Sequence, residues 1–139
     1  MNKVVNYLLL EQETELKFVV IVLSDGEIHF ATIPFDPSGR TRHAEIVVKF
    51  CKEQGFSPKR DPMKSYKPIY EASKGEIKLS VEGGGIISVD DKARVISSRA
   101  GSTDYGWPRR SVVEHCLREA IKGGDFDGYT IEISEVKDA

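Results

Sequence analysis

KFVVIVLSDGEIHFATI is the sequence of residues 17–33, and its pattern predicts two strands joined by a turn. Residues 17–23 are rich in β-branched side chains, which is typical of a buried strand. The Asp25-Gly26 pair that follows is characteristic of a tight hairpin turn. Residues 27–33 then alternate between apolar and polar side chains, as expected of a strand with one buried face. The stretch therefore predicts an antiparallel hairpin.

The same order of strand, turn, strand and helix is predicted twice along the chain. After the first hairpin, apolar residues recur at helical spacing, so we expect a helix that begins near Thr41 and ends at Gly55. A second hairpin is expected within residues 75–98. Ser and Glu at the two ends of residues 111–114 have the spacing of a capping box, which predicts the start of a second helix. A final strand is predicted at residues 129–133.

This order predicts a single α+β domain with a mixed, mostly antiparallel sheet of about six strands and two main helices. The length of 139 residues is that of one domain, and no linker divides the chain. We therefore expect residues 1–139 to form one unit. Residues 56–73, where Pro alternates with Lys and Arg, are expected to form an exposed inserted loop.

The composition argues against several classes of protein. The chain has twenty Lys and Arg and twenty-two Asp and Glu. The resulting formal net charge of −2 does not favour binding to nucleic acid or to acidic membranes. The longest apolar run, residues 18–23, is too short to span a bilayer, and the N-terminus lacks a signal-peptide cleavage pattern. We therefore expect a cytoplasmic monomer that binds neither nucleic acid nor membrane.

The two cysteines point to a reducing compartment. Cys51 and Cys116 both fall at apolar positions of the predicted helices. This placement predicts two buried free thiols in preference to a disulfide, and the spacing excludes a zinc site built on paired cysteines.

One of the three histidines falls where a reactive group is expected. His43 lies in the first turn of the first predicted helix, on the same side as Val47 and Phe50. The positive end of the helix dipole keeps the imidazole neutral near pH 7, and the same helix end offers N–H groups to an anion. A neutral imidazole can act as nucleophile or general base, although a hydrogen-bonded packing role fits the same position. His29 is expected to face solvent or the less buried side of the sheet, and His115 to lie on the surface.

Two stretches of small residues can be explained either by backbone geometry or by ligand binding. Gly83-Gly84-Gly85 interrupts a strand pattern, which indicates a bulge or a close approach to the backbone. Residues 100–106, AGSTDYG, form a polar loop between strand and helix. The N–H groups and hydroxyls of such a loop can bind an oxyanion, and an ordinary loop is equally consistent. Because both strand-to-helix loops follow the second strand of a hairpin, we expect His43 and Ser102 to approach one another.

Three motifs together carry a resemblance to a known family. HAEIV at 43–47, EGGGII at 82–87 and AGSTDYG at 100–106 resemble the Janus/phosphohistidine phosphatase family. That family carries a His-Ala-Asp-Ile-like motif, a Gly-Gly-Gly-Arg-Ile motif and a Gly-x-Ser-x-x-aromatic-Gly loop in this order. The resemblance extends over roughly residues 16–133 and includes the order of strands and helices.

The resemblance implies an enzyme without metal or cofactor that hydrolyses the P–N bond of a phosphohistidine-containing protein or of a related phosphoramidate. His43 matches the catalytic histidine of the family. The phosphate contacts implied by the family fall on Lys17 and on the loop residues Gly101, Ser102, Thr103 and Asp104.

Two positions depart from the family pattern. Ile86 stands where the family has the arginine of its glycine motif, and Phe35 stands where it has an arginine before the helix. The missing charge can come from several basic residues near the site or in the insertion: Arg40, Arg42, Arg99, Lys64 and Lys67. The departure leaves a second interpretation open, in which the chain is a non-catalytic module of the same fold. Such a module binds a phosphorylated or anionic ligand, or a protein partner.

Overall fold

The computed structural model describes residues 4–6, 15–35, 43–58, 69–102, 105–134 and 136. Within these ranges the chain forms eight strands and two helices. The strands are β1 (Val4–Asn6), β2 (Glu15–Leu23), β3 (Ile28–Pro34), β4 (Ser57–Pro58), β5 (Glu71–Lys74), β6 (Ile77–Asp90), β7 (Val95–Arg99) and β8 (Thr130–Ile133). The helices are α1 (His43–Gln54) and α2 (Arg110–Ile121). The predicted α+β class is confirmed, with eight strands in place of about six.

The strands form one mixed, mostly antiparallel sheet, as predicted. β2 pairs antiparallel with β3 on one side and with β6 on the other. The hairpin expected around Asp25 and Gly26 joins β2 to β3. Two outer pairs are parallel, namely β1 with β3 and β7 with β8. The longest connected path of strands runs in the order β1-β3-β2-β6-β5-β4.

The sheet divides into two branches beyond β6. This strand has 14 residues and pairs with β2 along one edge. Along the other edge, its first part pairs with β5 and its last part, from Ile86, pairs with β7. Residues 81–85 lie between the two branches. There the N–H of Gly84 donates to the carbonyl of Gly106 at 3.2 Å, so the loop before α2 contacts the strand edge at the division.

One helix covers each face of the sheet. Successive side chains of a strand point to opposite faces, and β2 shows this alternation. Val19, Ile21 and Leu23 pack in the apolar cluster of α1, whereas Phe18 and Val20 pack in that of α2. We call these two sides the α1 face and the α2 face. The α1 cluster also contains Ile46, Val47, Phe50 and Cys51, and the α2 cluster contains Val113, Cys116, Leu117 and Ile121.

The helix ends differ in part from the expected ones. α1 ends at Gln54, and Gly55 follows in the left-handed region at φ 79°, as predicted for a glycine stop. The predicted start at Thr41 lies outside the described residues, and the described helix begins at His43. The capping box at 111–114 is wrong. α2 already begins at Arg110, because the carbonyl of Arg109 accepts the N–H of Val113, and the side chain of Arg109 makes no capping hydrogen bond.

The inserted segment is shorter than the predicted 56–73. Phe56 and Ile69, near its two ends, are buried in the α1 cluster. β4 and β5 pair with each other, with Ser57 opposite Ser73. The apolar side chains at both ends anchor the segment to the core. The expected exposure is therefore wrong for Phe56, Ile69 and Ala72, which are buried, whereas Ser57 and Tyr70 are exposed. Residues 59–68 lie outside the described part of the chain.

Both cysteines are free and buried, as predicted. Burial raises the pKa of the Cys51 thiol to about 11 and that of the Cys116 thiol to about 12. Both thiols are therefore protonated at neutral pH. In the described ranges, neither helix is long and apolar enough to cross a membrane.

Candidate functional site

His43 is the first residue of α1 and lies against the middle of β6. Its Nε2 is 2.9 Å from the carbonyl oxygen of Gly85. A carbonyl oxygen only accepts hydrogen bonds, so Nε2 carries the proton and donates it. In the neutral ring the lone pair is then on Nδ1. The contact fixes both the orientation of the ring and its tautomer.

Glycine at position 84 is required by this close approach. A Cβ at Gly84 would lie 2.5 Å from the backbone oxygen of Phe18 and 3.0 Å from Cδ2 of His43. The strand also carries a bulge here, because Val19 pairs with Gly84 but the next pair joins Ile21 to Val81. Three steps along β6 thus match two along β2. The bulge predicted at the glycines is confirmed, and it lies beside the imidazole.

The loop after β7 is closed on itself and attached to the same bulge. The N–H groups and carbonyls of Ser102 and Gly106 exchange hydrogen bonds of 3.1 and 2.7 Å. The Oγ of Ser102, which is buried, accepts the N–H of Tyr105 at 3.1 Å. A Cβ at Gly101 would lie only 1.8 Å from Cδ1 of Trp107, so this glycine is required by the indole above it.

The structure brings this loop and His43 to adjacent residues of β6. Gly84 donates to the loop carbonyl of Gly106, and Gly85 accepts from His43. Ser102, through its pairing with Gly106, and His43 are thus both attached to the same bulge of β6. Thr103 and Asp104, the other two expected phosphate contacts of the loop, lie outside the described residues.

Three side chains on the α1 face form a row next to His43. Lys17 is opposite Ile86 on β6, and Ile86 is opposite Arg99 on β7. Directly paired residues of an antiparallel sheet share a face, so the three side chains project together. Ile86 is two residues from Gly84 along the strand, which is about 7 Å. We call Lys17, Ile86 and Arg99 the cation row.

The two cations of this row have different surroundings. The Nζ of Lys17 is 5.7 Å from the centre of the Phe35 ring. Arg99 donates from one nitrogen to Oε2 of Glu15 and from another to Oγ of Ser88, both at 2.5 Å. Glu15 and Ser88 are themselves opposite each other and lie two residues beyond the cation row, on the side away from His43. The Arg99 guanidinium therefore leans away from the imidazole.

The prediction that His29 faces solvent is wrong. Its side chain projects to the α1 face, opposite Ile21, and is only 3% exposed. The ring packs edge-on against Phe50 of α1 with 4.9 Å between ring centres, and Nε2 contacts Oε1 of Glu27 at 2.5 Å. Both faces of β3 are covered at this point, so alternation along the strand leaves no solvent side. His115, on α2, is partly buried, which departs from the expected surface position.

Five basic residues were expected to be able to replace the missing arginine. Of these, the structure describes Arg99, and the other four lie outside the described residues: Arg40, Arg42, Lys64 and Lys67. In the described part of the chain, no group of three or more His, Cys, Asp or Glu side chains is arranged to hold a metal ion.

No protein-family model matches the chain, and no curated protein matches it significantly. The site consists of an oriented imidazole, two cations and a closed loop around one bulge.

Proposed function

We propose that this protein hydrolyses a phosphoramidate bond, with phosphohistidine in a protein as the substrate and His43 as the central residue. The observation that carries the proposal is the position of His43. Its Nε2 is fixed by the carbonyl of Gly85, and the ring lies at the start of α1 beside the cation row. An oriented neutral imidazole next to two cations suits the transfer of an anionic phosphoryl group.

The lone pair on Nδ1 of His43 supports two routes to the same products. In the first, Nδ1 attacks phosphorus, the P–N bond breaks, and the leaving imidazole nitrogen takes up a proton. Water then hydrolyses the phosphoryl group on His43. In the second, Nδ1 accepts a proton from a water molecule that attacks phosphorus directly, the P–N bond breaks, and the leaving imidazole nitrogen takes up a proton. Both routes require the neutral form of the His43 imidazole.

The surroundings of His43 suit the charge on the phosphoryl oxygens. Lys17 stands on one side of Ile86 and the backbone of Arg99 on the other, so an anion above Ile86 lies between two basic residues, with the Arg99 guanidinium turned towards Glu15. The first turn of α1 adds a fixed dipole, whereas the N–H groups of Ser102, Tyr105 and Gly106 already donate within their own loop. Ile86 itself gives an apolar floor, which strengthens these interactions by excluding water.

The test is hydrolysis of a phosphohistidine peptide by the wild type and by His43→Ala, with a chelator present. We expect turnover in the wild type and a loss of about 10²–10⁴-fold in the variant, the usual contribution of one acid–base group. His115→Ala, on α2 at the other face of the sheet, is the matched control and is expected to keep wild-type activity. Equal turnover by His43→Ala and wild type would contradict the proposal, as would no turnover by a folded wild type.

Rapid quenching at alkaline pH separates the two routes. N-phosphorylated histidine survives alkali, so mass spectrometry of quenched protein detects a phosphoryl group on His43 if the imidazole attacks phosphorus. Its absence during steady turnover identifies His43 as the base that activates water.

A second candidate function is favoured by the orientation of Arg99. Its guanidinium is bound to Glu15 and leans away from His43, so this charge is not held where it would stabilise a phosphoryl group that reacts at the imidazole. In this case the protein is a module that binds phosphorylated ligands. Phosphate binding by the wild type, together with no hydrolysis, would support the module over the enzyme.

A further inference from the structure

We propose that Glu15 is an internal competitor for Arg99, and that an anionic ligand must displace its carboxylate to obtain the second cation of the site. The inference rests on the proposed function, because it concerns the phosphoryl group bound beside His43. It adds a residue that controls affinity and product release. Neither the three motifs nor the family resemblance points to Glu15.

The backbone of Arg99 and its guanidinium group lie in different rows of the sheet. Its Cα belongs to the cation row, opposite Ile86. Its guanidinium donates instead to Oε2 of Glu15 and to Oγ of Ser88, which form the next row. Two residues along a strand correspond to about 7 Å, so this row is further from His43 than the cation row is. The guanidinium charge is therefore held away from the position above Ile86.

An anion above Ile86 therefore has to compete with the Glu15 carboxylate. A phosphoryl group offers a guanidinium two oxygens with more charge than one carboxylate oxygen, so it is the stronger acceptor. The side chains of Arg99 and Glu15 are 41% and 43% exposed. Exposed pairs contribute little to stability, so the exchange of partners costs little.

The same exchange acts in reverse after the reaction. When the ligand leaves, Glu15 takes back the guanidinium and lowers the affinity of the site for the phosphate product. Glu15 thus weakens product binding without touching the reacting atoms. Its removal is expected to tighten binding of inorganic phosphate two- to fivefold, the range that corresponds to one exposed ion pair.

The experiment measures the Kd of inorganic phosphate by isothermal titration calorimetry on the full chain. The variants are Glu15→Gln, Arg99→Gln and the double variant, with Glu76→Gln as the control. Glu76 is an exposed carboxylate in the turn before β6, and its loss makes the same change in net charge. We expect tighter binding in Glu15→Gln, no change in Glu76→Gln, weaker binding in Arg99→Gln, and no gain from Glu15→Gln in the Arg99→Gln background.

Several outcomes overturn the inference. One is a Kd in Glu15→Gln that equals or exceeds the wild-type value. Another is a gain that persists in the Arg99→Gln background, because that gain arises from general charge repulsion. A third is the absence of phosphate binding in both wild type and Glu15→Gln. Tighter phosphate binding in Glu15→Gln without hydrolysis by any variant supports the role of Glu15 while the phosphatase proposal fails.

Thermal unfolding of each variant establishes that it is folded. Ser88→Ala is the second route to the same result, because it removes the other acceptor of Arg99 and leaves Glu15 in place. It is expected to shift the Kd in the same direction as Glu15→Gln, by a smaller factor. No shift or weaker binding in Ser88→Ala counts against the displacement of Arg99.

Discussion

The two faces of the sheet differ in how far their helices reach. On the α2 face the apolar cluster continues along β2 through Phe18 and Val20, and Phe18 stacks on Phe30 with 4.6 Å between ring centres. On the α1 face the apolar cluster includes Val19, but the next side chain on that face is Lys17. The described part of the helix begins at His43, level with the bulge, and the rows of the sheet beyond it include the charged side chains of Lys17, Glu15 and Arg99.

The contrast shows where this fold has room for chemistry. A sheet face buried along its length contributes to stability and excludes water. A face that its helix covers only in part leaves backbone N–H groups of the helix end and strand side chains exposed together. In this protein the transition from packing to exposure occurs at His43 and Gly84. Substitutions on the α2 face should therefore change stability, and substitutions beyond His43 should change binding.

The largest effect is expected on the α2 face. Leu117→Ala removes a side chain with no solvent exposure and should lower the free energy of unfolding by about 2–5 kcal/mol. Hydrolysis per folded molecule should stay within about twofold of the wild type, because the site is on the other face. Urea unfolding and activity at saturating substrate measure the two quantities. The exposed Lys122→Ala is the control, and a loss of activity larger than the loss of folded protein would contradict the separation of the faces.

Lys17→Met should lower activity and leave stability nearly unchanged, which is the opposite of Leu117→Ala. The substitution keeps the length of the side chain but removes a charge beside the proposed phosphate position, so kcat/KM should fall about 10²–10³-fold. The free energy of unfolding should change by less than about 0.5 kcal/mol, as is usual for a surface position. Lys78→Met, an exposed lysine near the other end of β6, is the matched control. Equal losses in the two variants would mean a general charge effect.

Gly84→Ala tests the position at which the packed part of the α1 face meets its exposed part, so it should affect both stability and activity. The new methyl group meets the Phe18 carbonyl oxygen and the His43 ring, so the strand must shift, at a cost of about 1–3 kcal/mol. Activity should fall as well, because the imidazole moves with it. Gly124→Ala is the control, since its Cβ would meet only the carbonyl oxygen of Ile121 at 3.8 Å. Full activity in Gly84→Ala would show that the position of His43 is not held by β6.

The smallest effect compares the two buried thiols, one on each helix. The pKa of Cys51 is about 11 and that of Cys116 about 12, both raised by burial. Cys116 has the more strongly raised pKa and no solvent exposure, so Cys51 should react faster with iodoacetamide in the folded protein. Mass spectrometry of labelled peptides gives both rates, and unfolded protein in urea is the control. Faster labelling of Cys116 would reverse the order of burial.

The same thiols predict the sign of a pH effect on stability. Their folded pKa values lie above the ordinary thiol value of 9.0, so the folded state holds its protons to higher pH than the unfolded state. The stabilisation is fully present below about pH 9 and is lost as the pH rises towards the folded values. Cys116→Ala should therefore show a shallower decline in the urea midpoint between about pH 8 and 11 than the wild type. An unchanged slope would contradict the raised pKa.

Local patterns in the sequence were sufficient for most of the fold. The hairpin at residues 17–33, both apolar helix faces and the glycine bulge depend on residues close together in the chain. His29 was misplaced because alternation along one strand cannot show that helices cover both sides of it. The capping box failed because the Arg109 carbonyl, and not a side chain, makes the first hydrogen bond of α2.

The candidate site was predictable only in part. His43 and the loop at 100–106 were identified from motifs, since each motif is continuous in the sequence. The cation row was not, because it depends on the register between strands about 70 residues apart. The pairing of Glu15 with Arg99 depends on the same register and had no local signal. Phe56 and Ile69 were missed because prolines and basic residues surround them.

The indole above Gly101 gives this protein a built-in optical reporter. Trp107 is the sole tryptophan of the chain, it is 51% exposed, and its ring contacts the loop that is attached to the bulge beside His43. Its fluorescence depends on the polarity and rigidity around the ring, so a ligand that reorders the loop changes the emission of the whole molecule. Phosphate or phosphopeptide titrations can therefore be followed on unlabelled protein, with a signal that originates at the site itself.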